Sequence, residues 1–318
     1  MSTLALDPDY KKATEAFAGA VQPVFEDALS LRAYINTAIP LIGSLHPRPE
    51  GVQETKFEFQ AKDGTTLNIW RFSPSATPSS APGPAALYIH GGGMVSGSVE
   101  VWKDDIMRYV AEAGIPFFGV GYRLAPEFPF PTPVDDSYAA LEWLRDHAAE
   151  QRIDPKRIAL FGESAGGGIA AGVALMARDK SFAPPIAKQL LIYPMVDDRT
   201  KVGLENPMSQ FLVWTDKNNT IGWSAYLGPE SERAQVSPYA APARATDVAG
   251  LPRTYIDVGG LDMFRDEDIA YAGKLAAASV DVEFHLYPGA PHGWEYGSPS
   301  IPSARRAIEN RIRALRDL

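Results

Sequence analysis

From residue 86 onward, short apolar runs alternate with longer stretches in which apolar positions recur at helical spacing. The apolar runs predict buried strands at 86–89, 116–121, 158–161, 189–193, 254–258 and 282–287. The stretches between them predict helices, among them 133–150, 165–180 and 266–278. Buried strands that alternate with helices indicate an α/β fold, with a mostly parallel central sheet and helices on both faces.

The first 45 residues predict a separate helical segment. Asp7-Pro8 supplies an N-cap and a first-turn proline, and Pro23 separates this helix from a second one at about 27–38. Residues 46–53 are rich in proline and indicate a hinge. Alternating residues at 55–61 and 66–72 flank Asp63-Gly64, which is typical of a β-hairpin. We therefore predict N-terminal cap helices at 1–45 and a main domain at 46–318.

The segment 197–228 is too long for a simple connection between a strand and a helix. It carries the aromatic residues Phe211, Trp214, Trp223 and Tyr226. We expect an insertion that packs with the N-terminal helices and contributes to the cap.

Composition narrows the class of protein. Thirty basic and 39 acidic residues give a net charge of −9, which argues against a nucleic-acid partner. No stretch approaches the ~18 consecutive apolar residues of a membrane span, and the N-terminus lacks the pattern of a secretory signal. There is no cysteine, which excludes disulfides, cysteine nucleophiles and thiolate metal sites. We expect a cytoplasmic protein with no membrane partner.

A candidate nucleophile lies in the segment Gly162-Glu-Ser-Ala-Gly166. A predicted strand precedes this G-x-S-x-G motif and a predicted helix follows it. The glycines permit a tight turn that projects the Ser164 hydroxyl at the carboxyl end of the sheet. The helix N-terminus beneath the serine favours negative charge. A glycine-rich structural turn is the alternative, and the flanking strand and helix favour the nucleophile.

The base for Ser164 is expected among five histidines, which are His46, His90, His147, His285 and His292. His292 follows the last predicted strand in Pro288-Gly-Ala-Pro-His-Gly293, a loop where a general base is expected. The other four lie in the hinge, before three glycines, on a polar helix face and inside a strand. A surface loop histidine is the plainer interpretation of His292, but the order serine, aspartate, histidine is typical of serine hydrolases of this fold.

The acid is expected after the strand that precedes the histidine loop. Asp262 is the first carboxylate beyond that strand and would orient the imidazole and stabilise the imidazolium. Asp266 competes with it, but Asp266 and Asp268 fall where a helix begins and are better explained as N-terminal charges. Asp257 is expected to be buried in the strand or at its edge.

Three consecutive glycines, Gly91, Gly92 and Gly93, follow His90 at the end of a predicted strand. Consecutive glycines allow backbone N–H groups to point into a site, as an oxyanion hole requires. The N–H of Ala165 would complete it, and a flexible turn is the alternative. No nucleotide-binding loop and no histidine pair at metal-ligand spacing is present, so we predict no cofactor and no metal.

Together these motifs closely resemble the hormone-sensitive-lipase family, the microbial esterase branch of the α/β-hydrolases. The matching segments are His90-Gly-Gly-Gly93, Gly121-Tyr-Arg-Leu-Ala-Pro-Glu127, Gly162-Glu-Ser-Ala-Gly166 and Tyr287-Pro-Gly-Ala-Pro-His-Gly293. The resemblance implies an α/β-hydrolase fold with a helical cap, esterase activity, and Ser164, Asp262 and His292 as the catalytic triad. It further implies Gly92, Gly93 and Ala165 as oxyanion donors, His90 as a support for their loop, and a structural role for 122–127.

The sequence departs from the family at two places. Glu163 stands where aspartate is common beside the nucleophile, which should tune the site without changing the reaction. Met263-Phe264 stands where many relatives have Pro-Leu after the catalytic aspartate, which loses a rigid φ and adds bulk near the pocket. We predict pocket walls at Phe211, Trp214, Phe264 and Trp294, although core packing would explain each aromatic residue equally well.

The predicted function is a serine carboxylesterase that hydrolyses short-acyl esters through an acyl-enzyme. An amidase, lactonase or carbamate hydrolase with the same triad remains open, since leaving-group preference depends on the cap. A ligand receptor on this fold is a further alternative, which the presence of His292 disfavours. The last strand, at 282–287, would be an open sheet edge, and since many relatives pair this edge across a two-fold axis we expect a homodimer.

Overall fold

The computed structural model describes residues 4–15, 23–75 and 81–318. Its eight strands form one sheet, in the order β1-β2-β4-β3-β5-β6-β7-β8. Their bounds are β1 Val52–Gln60, β2 Thr66–Pro74, β3 Gly83–Ile89, β4 Phe117–Val120, β5 Ile153–Glu163, β6 Lys188–Ile192, β7 Arg253–Gly259 and β8 Val282–Tyr287. Only β2 runs antiparallel to its neighbours β1 and β4, and every other pairing is parallel. The mostly parallel sheet and the Asp63-Gly64 hairpin are therefore confirmed.

Helices cover both faces of this sheet. In chain order they are α1 Pro8–Ala13, α2 Ala28–Gly43, α3 Val99–Ala113, α4 Thr132–Asp146, α5 Ala148–Gln151, α6 Ala165–Asp179, α7 Asp216–Leu227, α8 Arg265–Ala277, α9 Trp294–Gly297 and α10 Pro302–Arg316. Helices α3 and α10 bury their apolar residues on one face, together with Tyr88 and Phe161 of the sheet. Helices α4, α6 and α8 pack on the other face, against Leu87 and Leu160. Because both faces are covered, β3 and β4 carry no charged side chain along their whole length.

The N-terminal helices form as the sequence predicts, with one difference. Asp7 caps α1, and Asp27 makes a reciprocal capping box with Ser30 at the start of α2. Helix α2 continues past Pro40 to Gly43, although a proline disfavours helix in the residue before it. The Tyr296 hydroxyl donates to the Ile39 carbonyl oxygen at 2.9 Å, so tertiary contact holds the last turn in place. Residues 16–22 of the predicted cap segment lie outside the described residues.

Two other expectations about boundaries were wrong. The hinge ends earlier than 53, because β1 begins at Val52. The helix predicted at 133–150 is two helices, α4 and α5, which meet at His147. The segment 197–228 contains a short 3₁₀ helix, Pro207–Phe211, followed by α7, and α7 contacts α2. The division of the chain into a cap and a main domain stays a prediction.

Candidate active site

Ser164 occupies a strained turn between β5 and α6. Its φ is +55° and its ψ is −122°, a conformation that residues other than glycine rarely adopt. The surrounding backbone holds it there: Ser164 N–H donates to Ile192 O at 2.8 Å, and Met195 N–H donates to Ser164 O at 3.0 Å. The turn presents the Ser164 hydroxyl above the carboxyl end of the sheet, at the N-terminus of a 15-residue helix.

The glycines of the G-x-S-x-G motif are required by close packing. A Cβ at Gly166 would lie 2.0 Å from Ile89 O, and a Cβ at Gly162 would lie 2.2 Å from Gly166 O. The turn therefore packs directly on the end of β3 and on itself, which fixes the direction of the Ser164 side chain.

His292 lies between Ser164 and Asp262. Its Nε2 is 3.0 Å from Ser164 Oγ, and its Nδ1 is 2.7 Å from Asp262 Oδ2. A carboxylate only accepts hydrogen bonds, so Nδ1 carries the proton and Nε2 turns its lone pair to the serine hydroxyl. Asp262 is fully buried, and its Oδ1 accepts from Phe264 N–H at 3.0 Å. The three residues have the geometry needed to draw a proton from the Ser164 hydroxyl.

The competing carboxylates occupy other environments. Asp266 is exposed and pairs with Arg265 at 2.7 Å. Asp257 is buried in β7, as expected, where it accepts from Arg311 Nε at 2.7 Å. Asp268 is not a solvent-facing charge at the helix N-terminus: it is fully buried, and neither carboxyl oxygen has a partner among the described residues. Burial, and then the neighbouring Glu267 and Asp262 carboxylates, raise the pKa of Asp268 well above its ordinary value.

The segment 91–97, here called the oxyanion loop after its predicted role, lies against Ser164. Gly92 has a φ of +123°, and a Cβ there would lie 2.2 Å from Ser96 O, so only glycine fits the turn. Gly91, Gly92 and Gly93 all border the same cavity as Ser164. Within the described parts of the chain, the N–H groups of Gly92, Gly93 and Ala165 donate to no carbonyl. They are therefore available to an oxygen bound above Ser164.

His90 supports the oxyanion loop from below. Its ring stacks on Tyr122 with a centroid separation of 4.2 Å, and its Nδ1 lies 2.8 Å from Gly91 O. The Tyr122 hydroxyl donates to His90 O at 2.8 Å. Burial lowers the pKa of His90 to about 4, so the imidazole is neutral around pH 7. A neutral Nδ1–H then donates to Gly91 O and holds the loop without adding charge.

Glu163 lies fully buried beside Ser164. Its Oε2 accepts from the Tyr88 hydroxyl at 2.7 Å. Burial, and then the nearby Asp105 carboxyl, raise the pKa of Glu163 well above its ordinary value. Burial therefore favours the neutral acid form of Glu163, which adds no negative charge beside Ser164.

Tyr193 and Phe264 hold the imidazole of His292. Their ring centroids lie 4.6 and 5.3 Å from that of His292, both in edge-on geometry. The Tyr193 hydroxyl donates to Glu295 at 2.8 Å, and Glu295 accepts from Arg311 at 2.6 Å. The sequence motifs did not indicate these contacts of Tyr193, Glu295 and Arg311. The one local signal was an arginine on the apolar face of α10, between Ile308 and Ile312.

The cavity above Ser164 has a volume of about 290 Å³ and an aromatic and aliphatic lining. Helix α2 supplies one wall through Leu31, Tyr34, Ile35, Ala38, Ile39 and Ile42. Trp214 also borders the cavity, close enough to the oxyanion loop that a Cβ on Gly93 would lie 2.5 Å from its ring. The structure therefore places Trp214, one of the four predicted wall residues, beside Ser164 at this cavity.

The other three predicted wall residues do not line this cavity. Phe264 is fully buried and packs on His292. Trp294 is fully buried between Tyr193, Tyr287 and the Arg311 guanidinium. Phe211 is half-buried and ends the 3₁₀ helix, packed against the core. All three were predicted from their positions in the sequence near the site. Their side chains instead pack against other residues of the interior, and the sequence pattern does not specify those neighbours.

No group of side chains in the described ranges has the composition and proximity of a metal site. None of the helices described there is both long and apolar enough to cross a membrane.

This fold and site define an α/β-hydrolase with a Ser–His–Asp arrangement, and comparison with known proteins gives the family. Residues 86–296 match the alpha/beta hydrolase fold family. The chain belongs to this family, in the esterase branch similar to hormone-sensitive lipase that its motifs indicated.

Its relatives are named esterases. Esterase LipI of Mycobacterium tuberculosis is 37% identical over 245 residues, which cover 76% of this chain and 75% of LipI. The ethyl acetate hydrolase of Pseudomonas putida is 28% identical over 98% of this chain and 99% of its own. The structure of a bacterial heroin esterase superposes with a TM-score of 0.86 at 37% identity, covering 98% of both chains.

Proposed function

We propose that this serine carboxylesterase hydrolyses small neutral esters with short acyl groups, with Ser164 as nucleophile, His292 as general base and Asp262 as its orienting acid. The observation that carries the proposal is the continuous hydrogen-bonded chain from Asp262 through His292 to Ser164. It opens into an apolar cavity beside three backbone N–H groups that donate to no carbonyl in the described chain. The esterase names of its relatives support the reaction class.

The first half of the reaction acylates the serine. His292 Nε2 accepts the hydroxyl proton as Ser164 Oγ attacks the ester carbonyl carbon, and Asp262 stabilises the imidazolium. The carbonyl oxygen becomes an oxyanion that accepts from the N–H groups of Gly92, Gly93 and Ala165. When the tetrahedral intermediate collapses, the C–O bond to the alcohol breaks and His292 returns its proton to the leaving oxygen.

The second half releases the acid. A water molecule gives a proton to His292 as it attacks the acyl carbonyl, and the same N–H groups donate hydrogen bonds to the new oxyanion. Collapse then breaks the acyl–serine bond, the proton returns to Ser164 Oγ, and the carboxylic acid leaves. An amide, lactone or carbamate would follow the same steps, so the assignment to esters rests on the relatives.

The preference for short acyl groups follows from the size of the cavity and from a relative named for ethyl acetate. Each buried CH₂ gains about 0.8 kcal/mol until the chain meets a wall. We expect kcat/KM to peak between acetyl and about hexanoyl esters, in keeping with this burial argument, and to fall for longer ones. Residues 1–45 and 197–228 act together as the cap in this proposal, since α2 and Trp214 both line the cavity.

Substitution of the triad tests the proposal. Ser164→Ala and His292→Ala should each lower kcat on p-nitrophenyl acetate by ~10⁴-fold or more, and Asp262→Asn by a similar factor. Asp266→Asn is the matched control, because that carboxylate is exposed and, among the described residues, its ion-pair partner is Arg265. Labelling with a fluorophosphonate, followed by mass spectrometry, should modify Ser164. Parental activity in Ser164→Ala, or labelling of another serine, would refute the proposed nucleophile.

A further inference from the structure

The oxyanion loop has few side chains with which to hold its own shape. Within the loop, Gly92 O accepts from Val95 N–H at 3.2 Å, from Ser96 N–H at 3.0 Å and from the Ser96 hydroxyl at 2.8 Å. Three further backbone groups, Met94 O, Val95 O and Gly97 N–H, bond to partners outside the loop. Because glycine-rich backbone has high conformational freedom, these external bonds determine where the loop sits.

Arg32 of helix α2 joins the oxyanion loop to a second loop. Its Nε donates to Val95 O at 2.5 Å, and its Nη2 donates to Ala125 O at 2.7 Å. Ala125 N–H in turn donates to Met94 O at 3.0 Å. The guanidinium also forms two hydrogen bonds of 2.7 Å with Glu127, which fixes its plane. One side chain of α2 therefore joins the oxyanion loop, at Val95, to the loop that contains Ala125 and Glu127.

Asn36 lies one helical turn later and holds the end of the loop. Its Oδ1 accepts from Gly97 N–H at 2.8 Å. Gly97 packs tightly behind the oxyanion loop, since a Cβ there would lie 2.6 Å from Gly91 O and 2.8 Å from His90 Nδ1. A displacement of Gly97 would therefore move Gly91, which adjoins the proposed oxyanion donors.

The same helix lines the substrate cavity through its neighbouring residues, such as Leu31 and Ile35. We propose that Arg32 and Asn36 are positioning residues that hold the oxyanion loop in its reactive geometry, so that α2 couples the wall of the substrate cavity to the oxyanion hole. The stabilisation of an oxyanion depends on donors that are already oriented before the charge develops. A misplaced loop should therefore raise the barrier to the chemical step more than it weakens substrate binding. The inference rests on the proposed esterase activity at Ser164.

The test uses paired variants of the full-length protein. Arg32→Met removes the hydrogen-bond donors of Arg32, and Asn36→Leu removes the acceptor of Asn36, each with a side chain of similar size. The conservative variants are Arg32→Lys, which retains a donor group, and Asn36→Asp, which retains the acceptor. Thr37→Ala is the control, because Thr37 is exposed on the same helix and its hydroxyl donates to Ala33 O within that helix. The measurements are kcat and KM on p-nitrophenyl acetate, melting temperature, and inhibition by an alkyl trifluoromethyl ketone, whose serine adduct carries an oxyanion.

We expect Arg32→Met and Asn36→Leu to lower kcat about 10- to 100-fold, somewhat less than the loss of a whole oxyanion donor. KM should stay within about threefold and inhibition by the ketone should weaken in parallel with kcat, since both depend on the same donors. Arg32→Lys and Asn36→Asp should recover part of kcat, and Thr37→Ala should match the parent. A general loss of stability would not be reversed by the conservative variants, nor would it lower kcat while KM stays nearly unchanged. These two results therefore distinguish a positioning role from a structural one.

Parental kcat in a folded Arg32→Met or Asn36→Leu protein would overturn the inference, as would an equal loss in the conservative variants. If one apolar variant does not fold, the other and the two conservative variants still decide the question. Failure of the proposed function gives a different result, because Ser164→Ala would then retain activity.

Discussion

At the scale of single residues, several carboxyl groups are buried near the proposed catalytic residues, and Asp268 is one of them. It is fully buried, and neither of its oxygens has a partner in the described structure. Its raised pKa means that the folded state keeps a proton which the unfolded chain releases above about pH 4. The contribution of this group to folding is therefore complete at low pH and is lost as pH rises through the folded pKa.

Asp268→Asn should remove this pH dependence. Relative to the parent, the free energy of unfolding of the variant should rise between pH 4.5 and pH 8, by at most about 1.4 kcal/mol per pH unit. Urea unfolding at both pH values measures it, and Asp266→Asn serves as the exposed control. An unchanged difference between variant and parent across this range would show that Asp268 is ionised in the folded protein.

A second prediction at this scale concerns Trp214, whose ring bounds the cavity next to Gly93. Trp214→Leu should enlarge the cavity and raise kcat/KM for p-nitrophenyl octanoate relative to acetate by about tenfold or more, since each accommodated CH₂ gains about 0.8 kcal/mol. Phe211→Leu is the control, because Phe211 is an aromatic residue of the same segment that does not line the cavity. If the preferred acyl length is unchanged in Trp214→Leu, or changes equally in Phe211→Leu, Trp214 is not the residue that limits acyl length.

At the scale of elements, the site is built from loops that all lie at the carboxyl ends of the parallel strands. The oxyanion loop follows β3, Ser164 follows β5, Asp262 lies just after β7 and His292 lies just after β8. Parallel strands bring these loops together although they are distant in the chain. Each loop can therefore be recognised separately in the sequence, while the distances between them depend on the sheet.

Gly92→Ala tests the oxyanion loop as an element. The new Cβ would lie 2.2 Å from the backbone oxygen of Ser96, so the turn must move and displace its N–H donors. We expect kcat to fall by about 10²-fold or more, the effect of losing a donor. Gly114→Ala is the matched control, since Gly114 also has a positive φ, ends α3, and has open space around it. Gly114→Ala should lower the free energy of unfolding by about 1 kcal/mol and leave kcat unchanged. An unchanged kcat in Gly92→Ala as well would contradict the assignment of Gly92 to the oxyanion hole.

At the scale of the whole molecule, β8 is an edge of the eight-stranded sheet, as the sequence predicted. Its residues are mostly half-buried, and Leu286 is 43% exposed. We propose that two protomers pair through this edge, which would satisfy its free backbone groups.

Light scattering coupled to size exclusion should give twice the 34.5 kDa protomer mass at micromolar concentration. Leu286→Lys should shift the protein towards monomer, because a lysine on an edge strand disfavours pairing, with kcat per protomer retained. A parent protein of 34.5 kDa under these conditions would exclude the dimer.

The sequence by itself determined the features that are encoded locally. The apolar runs specified all six parallel strands, and G-x-S-x-G specified the turn that holds Ser164, because the close packing at Gly166 permits no side chain there. Each of Ser164, Asp262 and His292 follows a predicted parallel strand, and this was sufficient to place all three at the carboxyl end of the sheet. The helix starts at Asp7 and Asp27 could also be predicted from the sequence, because capping involves residues within one turn.

The tertiary structure alone decided the contacts between side chains that are distant in the chain. Arg32 and Val95 are 63 residues apart, and Tyr193 and Glu295 are 102 apart. Phe264 and Trp294 have the composition of pocket walls but pack around His292 and Arg311, and Asp268 has the position of a helix-end charge but is buried. A local pattern states which residues are apolar or charged. The neighbour that each one meets depends on how α2, α8 and α10 pack on the sheet, and no short stretch of sequence contains that information.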